Sequence, residues 1–264
     1  MIDSHCHIDL PAFDHDRIAV LKAAANSGVE RFLVPGLSNE QFTTLLGLQQ
    51  LLRDSHGIPI DIALGLHPYF YTSTLANGIA PALDLFEAHA KQHRQDVVAL
   101  GETGMDASIK CDLDTQETLL RAQLSVAKEL QLPAILHHRQ SHNHLIRILK
   151  SMRFSYGGLI HAFSGSAEVA KTYLDLGFLL GVGGTITYPR AKKTRATIKN
   201  IPLEYLMLET DSPDMPLNHF QGQRNTPGQL PLVAEALAEL KDVSVDTVKE
   251  QTTLNYRHLF KVSE

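Results

Sequence analysis

Eight short apolar runs recur along this chain, at roughly 1–7, 31–36, 60–66, 97–101, 133–137, 157–161, 177–182 and 205–210. Between them the apolar residues return every three or four positions, as on one face of a helix. Leu45, Leu48 and Leu52 make one such stripe, and Leu119, Leu120, Leu124, Ala127 and Leu130 another. Eight strand–helix alternations within 264 residues predict an α/β fold, a (β/α)8 TIM barrel. The runs lack polar alternation, as expected of parallel strands buried on both faces. No Ser/Gly linker, repeat or low-complexity stretch divides the chain, so residues 1–264 are expected to form one domain. The rival, an open doubly wound sheet, would carry a Gly-rich phosphate fingerprint after the first strand, and none is there. Ser38 with Gln41, and Asp114 with Glu117, have capping-box spacing. The stretch 227–261 reads as two helices, the second capped by Ser244.

Metal-type ligands stand at the ends of six of these runs: His5 and His7, His67, Glu102, His137, His161 and Asp211. Barrel enzymes build their sites in this way, from the C-terminal ends of several strands. In a strand, His5 and His7 would face the same side and chelate one ion, with Cys6 turned away as packing. Asp3 shares their parity and can orient an imidazole. The plainer alternative is a pair of core histidines. A carboxylate ending a buried strand, as Glu102 does, is costly unless paired or bound to metal. Its two oxygens can bridge two cations; the alternatives are an ion pair or a helix cap. His137 and His161 would give neutral imidazole to a second ion. Asp211 would bind the first ion and accept a proton from the attacking water, or else simply cap a turn. Glu209 shares its parity and is expected to lie buried nearby. His138 has the wrong parity, while His89, His93, His142 and His144 read as helix-surface residues. Imidazole with carboxylate favours zinc or manganese, with magnesium as a further option. Two divalent ions are therefore expected.

The net charge of −5 excludes a molecule that binds nucleic acid with its whole surface. Two cysteines exclude a disulfide framework. No secretory pattern opens the chain and no run is long enough to span a bilayer, so a cytoplasmic location without membrane contact is expected. No obligate protein partner is implied.

Taken in order, the motifs Asp3-Ser-His-Cys-His7, Gly65-Leu-His-Pro68, Gly101-Glu-Thr-Gly-Met-Asp106, Leu132-Pro-Ala-Ile-Leu-His-His-Arg139, His161-Ala-Phe-Ser-Gly165, Leu208-Glu-Thr-Asp-Ser-Pro213 and Arg224-Asn-Thr-Pro227 span nearly the whole chain. The set resembles the TatD family of metal-dependent deoxyribonucleases, among the amidohydrolase-like barrels. That resemblance implies His5, His7, Glu102 and Asp211 around one ion, and Glu102, His137 and His161 around the other. It also implies hydrolysis of DNA phosphodiesters, in some members from the 3′ end. The chain departs from the family pattern at Ala107, Ser108 and Ile109, where an aromatic residue is usual, at His138 in place of Cys, and at Thr226 in place of Glu. These changes fall on the substrate rim and leave the ligand set whole.

The expected activity is thus cleavage of DNA, or of a small phosphodiester, by a metal-activated water, with Asp211, Glu102 and His67 as the catalytic set. His67 would position the phosphate or protonate the leaving group. Arg139 and Arg224 adjoin the metal motifs and can clamp a phosphate. Arg190, Lys193, Arg195 and Lys199 form a basic run that is either a backbone-binding patch or a solvated helix face. Tyr69, Phe70 and Tyr71 offer a stacking platform, or packing. One rival is hydrolysis of a small cyclic amide, ester or phosphorylated metabolite. Many such amidohydrolases carry a carboxylated Lys on the fourth strand; here Glu102 stands there, and Lys110 comes well after it. The other rival is a non-catalytic nucleic-acid-binding protein.

Overall fold

A computed structural model describes residues 1–263. Its strands are β1 (Ile2–Asp3), β2 (Arg31–Pro35), β3 (Ile60–Leu64), β4 (Val97–Asp106), β5 (Ala134–Arg139), β6 (Gly158–Ile160), β7 (Phe178–Val182) and β8 (Leu206–Leu208). They pair in chain order, all parallel, in one eight-stranded sheet. The sheet curls until its ends meet just beyond β1 and β8. There Ser4 N donates to Leu208 O at 2.9 Å, Asp211 N to His5 O at 2.9 Å and His7 N to Ser212 O at 2.7 Å. The expected TIM-type barrel is the fold. The helices are α1 (Arg17–Asn26), α2 (Asn39–His56), α3 (Tyr71–Thr74), α4 (Ile79–Gln92), α5 (Leu113–Leu130), α6 (His142–Met152), α7 (Ala167–Asp175), α8 (Lys192–Asn200), α9 (Leu230–Lys241) and α10 (Val245–Phe260). Among the described residues no helix is long and apolar enough to cross a membrane.

The apolar runs divide into two cores. One lies between strands and helices. The other fills the barrel, and every strand supplies one residue to it: Ile2, Leu33, Ala63, Ala99, Ile135, Leu159, Leu179 and Met207. Tyr256 and Phe260 of α10 pack against this layer from the N-terminal end of the strands. There the Tyr256 hydroxyl donates to Asp61 Oδ2 at 2.7 Å, and Arg31 pairs with Asp61 Oδ1 at 2.9 Å. Burial raises the Asp61 carboxyl above its ordinary pKa, against the pull of Tyr256 and Arg31.

On β5, β6 and β8 the residue two positions further along, on the same face of the pleat, belongs to the site. Ile135 leads to His137, Leu159 to His161 and Met207 to Glu209. On β1 and β4 this parity breaks. β1 ends at Asp3, and Ser4 and His5 form a bend rather than continuing the strand to His7. On β4 the pairing with β5 shifts register between Leu100 and Thr103. Both irregularities turn inward a side chain that strict alternation would turn out.

Two helix starts differ from expectation. Ser38 precedes α2 without a side-chain cap; Gln41 Oε1 instead accepts Leu37 N at 2.9 Å. α5 is capped by Asp112, which accepts Thr115 N at 2.8 Å, and not by Asp114. Ser244 caps α10 as expected, accepting Thr247 N at 3.0 Å. Tyr256→Phe should cost about 1–3 kcal/mol in urea unfolding, because Asp61 loses a buried donor. Zinc titration of the folded protein should be unchanged, since Tyr256 lies at the opposite end of the barrel.

Candidate metal centre

Glu102 sits on β4, only 2% exposed, and among the described residues no Lys or Arg pairs with it. Its two oxygens face different imidazoles. Oε2 lies 3.0 Å from His5 Nε2 and 3.5 Å from His7 Nε2. Oε1 lies 3.1 Å from His137 Nδ1 and 3.3 Å from His67 Nε2. Burial alone would raise the Glu102 pKa, yet the surrounding rings hold it well below the ordinary carboxylate value.

Asp211 closes the first group. Its Oδ1 is 3.8 Å from His5 Nε2, 3.6 Å from His7 Nε2 and 3.5 Å from His161 Nε2. The residue holds a left-handed φ of 56°, a strained conformation for a non-glycine. Hydrogen bonds around it hold the loop. Asn225 Nδ2 donates to Thr210 O at 2.8 Å and Asp214 O at 2.9 Å. Asp3, expected to orient an imidazole, binds backbone instead. It accepts from His5 N at 3.3 Å and Thr210 N at 3.0 Å, with Thr210 Oγ1 at 2.6 Å. It therefore fixes the two chain segments that carry His5 and Asp211.

The donor set suits a divalent cation. His5 and His7 point their Nε2 atoms at each other, 3.2 Å apart, and both point at the same carboxylate oxygens. Protons on both facing Nε2 atoms would collide, whereas a cation at the centre of these two nitrogens, Glu102 Oε2 and Asp211 Oδ1 satisfies all four. Two clusters around Glu102 have the spacing to hold an ion: His5, His7 and Glu102, and His67, Glu102 and His137. A third cluster joins His5, His161 and Glu209.

Hydrogen bonding decides which rings offer a lone pair. His67 Nδ1 accepts the backbone N–H of Tyr69 at 3.1 Å, and burial lowers its pKa. The neutral ring therefore carries its proton on Nε2, facing Glu102 as a donor and not as a ligand. His137 lies between two carboxylates, with Nε2 3.4 Å from Asp106 Oδ2. Burial opposes its charge, but Asp106 and Glu102 raise its pKa to about 9. His161 stacks on His5 with ring centroids 3.5 Å apart. It lies nearer Asp211 and Glu209 than the Glu102–His137 pair with which the sequence grouped it.

His7, His67, Glu102, His137, His161 and Asp211 line a cavity of about 570 Å³, open at the C-terminal end of the barrel; His5 lies behind this wall. Arg139 lines it as well, beside Tyr69 and Phe70. Tyr69 is 69% exposed, while Tyr71 is buried packing. Arg224 is absent from this wall; it pairs with both oxygens of Asp16, at 3.0 and 2.5 Å, and lies over Phe13. The basic run is likewise set apart. Arg190 stacks on Tyr188, Arg195 donates to Ile186 O, and Lys193 and Lys199 are exposed on α8. His142 is not a free surface group, since its ring meets Tyr173 Oη at 3.1 Å and stacks on His138.

A family model for TatD-related DNases matches residues 2–261. The chain belongs to that family. It is 41% identical over 262 residues to the uncharacterized metal-dependent hydrolase YjjV of Escherichia coli K12, covering 99% of this chain and 98% of that one. It is 34% identical over 265 residues to the uncharacterized metal-dependent hydrolase YabD of Bacillus subtilis 168, covering 100% of both. The crystal structure of Escherichia coli YjjV superposes with a TM-score of 0.89 over 100% of this chain and 98% of that one.

In this TatD-family barrel, sequence reasoning passed over Asp106 as a site residue. Its Oδ1 accepts Ser108 N at 2.8 Å while Oδ2 faces His137. The signal was there: Asp106 is four residues beyond Glu102 on one strand, and so on the same face. Zinc should raise the melting temperature of metal-free protein, by an amount equivalent to about 2.7 kcal/mol at a hundredfold excess over Kd. Glu102→Ala should lose most of that shift in the same thermal melt.

Proposed function

We propose that this chain is a metal-dependent hydrolase that cleaves phosphodiester bonds of DNA. The observation that carries the reading is Glu102, a buried carboxylate with each oxygen turned to a separate imidazole group. Family membership and relatives described as metal-dependent hydrolases support it. The residues that would hold one ion are His5, His7, Glu102 and Asp211; Glu102, His137 and His161 would hold a second. What a bound divalent ion such as zinc or manganese supplies is Lewis acidity, polarising the phosphoryl group and easing deprotonation of water.

The protein groups have separable tasks. The Asp211 carboxylate, held below its ordinary pKa by His161, His5 and His7 despite burial, takes the proton of the attacking water. His67, neutral with its one proton on Nε2 toward Glu102, is placed to share that N–H with a phosphate oxygen, and so positions the phosphate rather than protonating the leaving group. Arg139 adds a cation at the cavity wall, where a phosphate is bound by charge-assisted hydrogen bonds. Tyr69 offers an open ring face to a base. Arg224 already has its carboxylate, so its role is to hold the loop after β8 against the segment before α1.

In an assay on single-stranded and 3′-recessed DNA oligonucleotides, the zinc- or manganese-loaded protein should release nucleotides, and Glu102→Ala should not. A Glu102→Ala protein as active as wild type would remove the bridging role. Arg139→Ala should raise KM about tenfold, the worth of one charge-assisted bond. Arg224→Ala should leave KM within about twofold and lower the melting temperature instead. Cleavage of small esters or cyclic amides with no action on DNA would shift the substrate to the amidohydrolase type. Salt-sensitive DNA binding without turnover would support a binding protein.

A further inference from the structure

Glu209 is fully buried inside the barrel, one residue beyond β8. Among the described residues its one ion-pair partner is His161, whose Nδ1 lies 3.2 Å from Oε1. The chain makes room for this carboxylate at some cost. Gly181 on β7 faces it so closely that any Cβ would overlap the carboxylate. Ala162, in a left-handed conformation with φ 44°, aims its N–H at Oε1 at 2.6 Å. Oε2 and His161 Nδ1 have no aligned hydrogen-bond partner. On the other side of the ring, His161 Nε2 lies 3.5 Å from Asp211 Oδ1.

We infer that Glu209 is a positioning residue for His161. Its carboxylate holds the imidazole proton on Nδ1 and so leaves the Nε2 lone pair facing Asp211 and the metal pocket. The arrangement is the opposite of that at His67, where a backbone N–H occupies Nδ1 and the proton is sent to Nε2. A carboxylate behind a ligating imidazole fixes its tautomer and raises its basicity, and losing it costs about ten- to a hundredfold in metal affinity. The metal consequence rests on the hydrolase reading above; the tautomer assignment does not.

Two measurements on the full-length protein test this. The first is zinc titration of metal-free wild type, Glu209→Ala and Glu209→Gln, followed by calorimetry. Glu209→Ala should bind zinc about ten- to a hundredfold more weakly with unchanged stoichiometry. Glu209→Gln, which keeps an acceptor oxygen and the volume, should recover part of the loss. Unchanged affinity in both variants would overturn the proposal. Loss of one ion per chain would overturn it too, by making Glu209 a ligand. The second is the ring 15N spectrum of histidine-labelled protein, with His161 assigned by its disappearance in His161→Gln. Recorded at a pH high enough for the ring to be neutral, the spectrum should show the proton on Nδ1 in wild type and Glu209→Gln; if Glu209→Ala does not fold, Glu209→Gln and wild type still decide the tautomer. A wild-type proton on Nε2 would refute the assignment. Wild type that binds no zinc but keeps the Nδ1 proton would count against the hydrolase reading alone.

Discussion

A single buried carboxylate organises this barrel. Among the described residues Glu102 has no Arg or Lys partner inside the barrel, and an unpaired charge in such a place costs several kcal/mol. Four imidazoles from three other strand ends gather around it. The neighbouring backbone is shaped to allow this. At Gly104 a Cβ would run into the backbone of His137, so the absence of a side chain lets β4 and β5 lie close enough for His137 to reach Glu102. Sequence, close strand packing and electrostatics thus meet at one residue, and the capacity to hold a cation follows from their combination.

Around that carboxylate, each ring's chemistry is set by the group behind it. The Tyr69 backbone makes His67 a donor, and Asp106 holds one nitrogen of His137. Asp3 performs a related task for the backbone, tying the chain after β1 to the chain after β8 where the sheet closes. Closure of the barrel and assembly of the centre are therefore one event: His5 O accepts Asp211 N across the same seam.

Charge is distributed to match. The chain carries a net −5, and most of its cations lie away from the cavity or already have partners. Among the described residues Arg139 is the Lys or Arg that lines the cavity. A substrate would thus be held by the centre, by one guanidinium and by the exposed face of Tyr69, more than by a broad basic surface.

Much of this was legible in the sequence because each ligand-type residue closes a local apolar run; alternation itself holds for His137, His161 and Glu209 and fails at His5 and Glu102, where a bend and a register shift turn the side chain inward. Apolar runs ending in ligand residues gave the barrel and brought His5, His7, Glu102, His137, His161 and Asp211 to one end of it. One residue was passed over and another was placed at the substrate, for different reasons. Asp106 shares a face with Glu102 and was within reach of the same rule. Arg224 lies beside a metal motif in sequence, but its partner Asp16 comes from the opposite end of the chain. Composition and spacing determined the eight units, their order and the identity of the ligand-type side chains. The tertiary structure decided how far β1 runs, where β4 shifts register, which nitrogen of each imidazole is free and which arginine faces the cavity. Those depend on contacts between segments far apart in the chain, where hydrogen-bond partners and excluded volume are set by the closed barrel and not by neighbouring residues.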